Sequence, residues 1–163
     1  DDLPSPQRDA PGGGLPLSPA LSRVLERASR LVRRSGRGCV RSEHFVVAML
    51  REKDCVAVQA LTRLGIKKTR LEKDIRRSLV SKLSSQAAAK SFVHLSPLIR
   101  KALADAGHEA VALSYDAIEV EHLVLGILKS PGSMPCAWLG KVGVDYSAYR
   151  REVSQLRGVA PSE

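Results

Sequence analysis

Two stretches, SEHFVVAML at Ser42–Leu50 and VEHLVLGIL at Val120–Leu128, decide how this chain is read. Each sets Glu-His ahead of an apolar run, and the two lie 78 residues apart. A pair kept twice is either chemistry used twice or a structural unit copied whole. Shifting the chain by 78 residues aligns 17–75 with 95–153 without a gap and gives 11 identities in 59 positions. Ordinary composition gives roughly three or four by chance. LSP at 17–19 meets LSP at 95–97, and Leu25, Ala28, Val46, Leu50, Leu61 and Gly65 meet their own kind. The mismatches are apolar exchanges at apolar sites, such as Phe45/Leu123, Met49/Ile127 and Ile75/Val153. This is a tandem duplication, so fold and site must be sought in the repeat.

Each copy reads as four helices. Ser18 and Ser96 are N-caps followed by Pro at the first helical position. Leu21, Val24, Leu25, Ala28, Leu31 and Val32 then keep the spacing of one long amphipathic helix, which Gly36 and Gly38 end. A second helix starts at the Glu-His pair. The third runs through CVAVQALTRL to Gly65, and its counterpart runs from near Pro135 to Gly143. The fourth spans about Lys68–Leu79, or Asp145–Leu156 in the second copy. No stretch alternates as a strand, so the fold class is all-α: eight helices in two repeats, 17–80 and 95–157. SKLSSQAAAKSFVH at 81–94 reads as a small-residue connector, and 1–16 and 158–163 read as flexible tails.

Composition narrows the function classes. Hydrophobic residues make up 44% of the 163 but aromatics only 4%, which suits an aliphatic helical core. No apolar run approaches a membrane span. Cys39, Cys55 and Cys136 form no CxxC pair and read as free thiols in a reducing compartment. His44, His94, His108 and His122 lack zinc-ligand spacing, so neither metal nor cofactor is expected. The net charge of +9 is lopsided: residues 17–80 carry 16 Lys/Arg against 6 Asp/Glu, whereas 95–157 carry 7 of each. An anionic partner belongs with the first repeat.

A catalytic Glu-His would need partners that are absent. A metalloprotease sets two His four apart around a Glu, no GxSxG occurs, and no Cys is duplicated. GxxxxGK[ST] is missing as well, so this stretch holds no nucleotide-hydrolysing loop. The structural alternative has each His packed between helices and bonded to backbone, with Glu in a first turn favoured by the helix dipole. The cations divide into Arg33, Arg34, Arg37 and Arg41 around the first inter-helix loop and Lys67, Lys68, Arg70, Lys73, Arg76 and Arg77 on the fourth helix. They form either a solvated face or a surface for phosphates or nucleic acid, although neither stacking aromatics nor a helix-turn-helix frame accompanies them.

The duplicated pattern (a Ser-Pro capped helix, a loop ending in Glu-His, an apolar helix, then ALxxLG and a last helix) resembles the Clp amino-terminal, or Clp repeat, domain of the Clp/Hsp100 AAA+ unfoldases. The resemblance covers about 17–157. It implies a pseudo-twofold, non-catalytic domain, monomeric in isolation. Such a domain docks adaptors or unfolded, tagged substrates for an ATP-driven ring, in the bacterial cytoplasm or plastid stroma. It implies either the head of such an ATPase or a separate accessory. In one branch the domain also binds phosphorylated arginine, through a Thr capping the first helix of each repeat and the Glu of GTEH. Those positions are Ser18 with Glu43, and Ser96 with Glu121. A carboxylate can take the guanidinium while a hydroxyl and helix N-terminal amides take the phosphate. Here GT is replaced by Arg41-Ser42 in the first copy and by Glu119-Val120 in the second. Arg41 attracts a phosphate and Glu119 repels one, so the expected site lies in the first repeat. The alternative function is a basic helical nucleic-acid binder.

Overall fold

The computed structural model describes residues 14–36, 38–81 and 93–158. Residues 1–13 and 159–163 of the predicted tails and most of the connector lie outside them. The described residues form eight helices. In the first repeat these are α1 (Pro19–Arg34), α2 (Ser42–Met49), α3 (Val56–Arg63) and α4 (Lys68–Ser81). In the second they are α5 (Pro97–Ala112), α6 (Val120–Leu128), α7 (Met134–Lys141) and α8 (Tyr146–Arg157). The signals in the sequence act where expected. Ser18 Oγ accepts the Leu21 amide at 3.1 Å and Ser96 Oγ the Ile99 amide at 3.2 Å. α8 starts one residue later than its periodicity suggests because Asp145 is its cap, accepting the Ala148 amide at 2.7 Å.

The two quoted stretches are the centre of the molecule. Every residue of α2 and of α6 is buried, including Glu43, His44, Glu121 and His122. A helix apolar on all sides has to be wrapped. α1 covers α2 with Leu21, Val24, Ala28 and Val32, and α5 covers α6 with Ile99, Ala102, Ala106 and Ala110. The wrapping is closest at Gly126, where a Cβ would stand 2.2 Å from the Ala102 carbonyl oxygen. The repeats share one core. α3 packs on α6 and α8, and α2 packs on α7. Polar ties cross the same boundary: the Trp138 Nε1–H donates to Asp74 at 2.9 Å and the Tyr149 hydroxyl to the Ala57 carbonyl at 3.3 Å.

One expectation needs correction. Short strands exist although no stretch alternates. β1 (Cys39–Val40) pairs in parallel with β2 (His94–Leu95), and Leu17 forms a parallel bridge with Ile118. Two residues are too few to show a period. These pairings exchange the repeats: Leu17 and Leu95 are equivalent, as are Val40 and Ile118, and each partner comes from the other copy.

Candidate functional site

The exchange rearranges the expected site. The Ser18 amide donates to the Ile118 carbonyl and the Ser96 amide to the Val40 carbonyl, both at 2.9 Å. The start of α1 therefore lies beside the start of α6, and the start of α5 beside the start of α2. The sequence reading placed Ser18 with Glu43 and Ser96 with Glu121, within repeats. The structure puts Ser96 beside the segment that leads into α2, which carries Arg41 and Glu43, and Ser18 beside the segment that leads into α6, which carries Glu119 and Glu121. Strand pairing between copies, which spacing within a copy does not encode, is the reason.

The two notches differ in charge. At the α2/α5 notch, Arg41 and Arg100 are both exposed. Burial pushes the half-buried Cys39 thiol up in pKa, while Arg41 and Arg100 pull the other way, so both guanidinium groups stand near it. Ser96 is buried, and Glu43 is 3% exposed with Oε2 accepting the Ser42 hydroxyl at 3.1 Å. Two helix N-termini and two arginines converge here, a setting that favours an anion. At the α1/α6 notch the equivalents of Arg41 and Arg100 are Glu119 and Ser22. Its buried carboxylate is already engaged. Glu121 Oε1 accepts from Arg157 Nε at 3.2 Å and from its terminal nitrogen at 2.9 Å. Burial raises the Glu121 pKa, with Arg157 and the backbone pulling it back. Arg157 also lies over the Tyr115 ring, 5.3 Å from its centroid.

The histidines serve the helices. His44 Nδ1 accepts the Arg41 amide at 3.1 Å, and His122 Nδ1 accepts the Glu119 amide at 2.9 Å. Each sits third in its helix and reaches back to the N-cap backbone, the part that Glu or Gln plays in a capping box. His122 is fully buried, with the Tyr115 ring edge-on at 4.4 Å and Nε2 unpartnered among the described residues. Burial, reinforced by Arg157, lowers its pKa to about 4. The opening pair is therefore a copied fixture: His satisfies backbone, and Glu is buried in the first turn of the helix.

Sequence reasoning missed three groups. Arg100 sits one turn into α5, and its place at the notch appears only once the exchange is known. Arg157, the partner of Glu121, has Leu79 as its equivalent in the first copy, so the repeat gave no hint. Glu109 is buried and collects Lys129 at 2.7 Å, Arg150 at 3.3 Å and the Tyr146 hydroxyl. Burial works against its carboxylate, but these donors outweigh it and hold the pKa below the usual range.

The family model of the Clp repeat N-terminal domain matches residues 3–64 and 94–163. The chain belongs to this family. It is 26% identical over 151 residues to the chaperone protein ClpB of Oceanobacillus iheyensis, covering 88% of this chain but 18% of that protein. Among solved structures, the Hsp104 N-terminal domain from Candida albicans matches with a TM-score of 0.74 at 16% identity, over 89% of this chain and 93% of that one. A ClpV N-domain solved in complex with a VipB peptide matches with a TM-score of 0.72 at 18% identity, over 90% of each chain. At these identities the structures establish the fold. Among the described residues no helix is long and apolar enough to cross a membrane.

Proposed function

We propose that this chain is the docking domain of a Clp-type ATP-dependent unfoldase, presenting substrates or adaptors to the ring, and that its α2/α5 notch takes phosphoarginine. Family membership supports the docking role, as does a relative of the same fold solved with a peptide bound. The notch reading rests on one observation: Arg41, Arg100 and two helix N-termini converge near Ser96 and the buried Glu43, whereas the equivalent notch has Glu119 and Ser22 in place of the two arginines. A phosphate would meet the guanidinium groups and amides, and a carboxylate is the natural receiver of the arginine head.

The test is titration of a phosphoarginine peptide and its unmodified twin against wild type, Arg41→Ala/Arg100→Ala, Glu43→Ala and Glu121→Ala. The expected result is preference for the phosphorylated peptide, reduced tenfold or more by the arginine pair or by Glu43→Ala and little by Glu121→Ala. Equal binding of the two peptides would reduce the site to a general docking surface.

A further inference from the structure

Four cations, Lys67 just before α4 and Lys68, Lys73 and Arg77 within it, have no carboxylate partner among the described residues. Glu72 accepts from Arg76 at 2.9 Å and Arg51 at 3.4 Å. Asp74 receives the Trp138 indole at 2.9 Å and faces Arg70 at 4.0 Å. Both carboxylates of the helix are thereby engaged, and Lys67, Lys68, Lys73 and Arg77 pair with no carboxylate among the described residues. Their placement is unfavourable. Lys67 and Lys68 lie at the start of α4, where the dipole repels cations, and the first turn holds no acid. Lys73 and Arg77 stand one turn apart on the exposed side, where like charges weaken a helix. Several other cations of the first repeat are engaged, although the exposed Lys53 and Arg41 also have no carboxylate partner among the described residues. Arg23 and Arg27 hold Glu52, Arg30 holds Glu26, and Arg33 and Arg34 end α1 at its negative pole.

The second repeat serves as an internal control. At the matching places of α8, Lys68 becomes Tyr146, Lys73 becomes Arg151, and Arg77 becomes Gln155. The repeat fold therefore does not need a cation at the places of Lys68 and Arg77. Thr69, Lys73, Arg77 and Val80 lie at helical spacing along one exposed line of α4, and Val80 is 63% exposed. From Thr69 to Val80 the line is about 16 Å long at 1.5 Å per residue.

We infer that the outer face of α4 is a second docking surface, whose partner is an acidic amphipathic helix of another protein. Charge complementarity fixes the sign of that partner. Lys73 and Arg77, one turn apart on that line and followed by an exposed valine, match carboxylates one turn apart ending in an apolar side chain. A single-stranded nucleic acid would call for stacking rings, and this face carries none. The surface is separate from the α2/α5 notch and does not depend on the phosphoarginine reading.

The probe is a fluorescent 20-residue alanine-based helical peptide with Glu at i, i+4 and i+7 and a terminal Leu. It is compared with its Lys-for-Glu counterpart and with 20-base-pair duplex DNA, by anisotropy against the full chain at two salt concentrations. The Glu peptide is expected to bind and the Lys peptide not. Lys73→Glu/Arg77→Glu should weaken binding at least tenfold, while Arg151→Glu on α8 and Glu43→Ala leave it unchanged. Circular dichroism of each variant, with an unchanged melting midpoint, separates lost binding from lost folding; if the Glu pair unfolds, Lys73→Gln/Arg77→Gln replaces it. Absence of Glu-peptide binding, equal loss in Arg151→Glu, or tighter binding of the DNA would overturn the proposal.

Discussion

His122 caps its own helix: its Nδ1 accepts the backbone N–H of Glu119 at 2.9 Å. The acceptor works only while the imidazole is neutral. Arg157 opposes a second proton and Glu109 favours it, but burial dominates and puts the pKa at about 4.

The pH dependence follows from that depression. The unfolded chain takes up the proton near the ordinary value of about 6.5, the folded chain only near 4. Between these values the unfolded state binds more protons, so stability rises with pH. The contribution is complete above about pH 6.5, falls by about 2 kcal/mol on going to pH 5, and is lost near pH 4. His122→Gln keeps an acceptor of capping-box type without a titratable ring. Urea unfolding from pH 7.5 to 5 should show wild type losing that much more than the variant. Parallel slopes would place a charged imidazole within reach of the fold.

Removing Arg157 tests the buried carboxylate. Glu121 is 2% exposed while the Arg157 side chain is 36% exposed, so the pair is neither a surface bridge nor a fully buried one. Arg157→Ala strands the carboxylate and should cost about 2 kcal/mol. Adding Glu121→Gln removes the charge and should recover about half of that loss. Additive losses in the double variant, measured by denaturant midpoints, would mean that the two groups do not act as a pair.

Close backbone approach gives α6 its glycine. Gly126→Ala drives a methyl into the Ala102 carbonyl, and neither helix backbone can yield easily, so a loss of about 2–3 kcal/mol is expected. The equivalent position in α2 is already Ala48, fully buried without conflict. There the opposite change, Ala48→Gly, should cost about 1 kcal/mol. Thermal melts that ranked the two in reverse would show that α5 and α6 are not so closely packed in solution.

Removing a serine cap should also register. Ser18→Ala and Ser96→Ala each lose one amide acceptor, a change of about 1 kcal/mol. Ser18→Asp should restore stability at its site, since a carboxylate caps and meets the helix dipole. Failure of the Asp variant to recover would point to repulsion from the nearby Glu119 and Glu121.

Those caps show why the fold was readable. Ser-Pro at 18–19 and 96–97, the aliphatic spacing of α1 and Gly65 with Gly143 are local rules, each printed twice, so the copies corroborated one another. Neighbours joined across copies were not readable. Nothing in LSP or in Cys39-Val40 says that Leu95 will seek Val40 rather than Ile118. The site suffered for that reason: its residues were named, but the backbone pairing that brings the Ser96 segment to the start of α2 and the Ser18 segment to the start of α6 was not foreseen. Arg100 and Arg157, which have no counterpart of the same kind in the other copy, lay beyond a method that trusts repetition.

The exchange between Leu17 and Ile118, and between Leu95 and Val40, also bears on how such a chain could arise. A single unit carries both the segment that offers the bond and the segment that receives it, yet here each finds its partner in the other unit. Two identical units would meet the same need by facing one another across a symmetric, self-complementary interface. Joining them end to end replaces an encounter that depends on concentration with one inside a single molecule. Once joined, the units are free to diverge, and the opposite charges at Arg41 and Glu119 are one outcome. Expressed separately, the segment 14–81 should return to the older arrangement and sediment as a dimer.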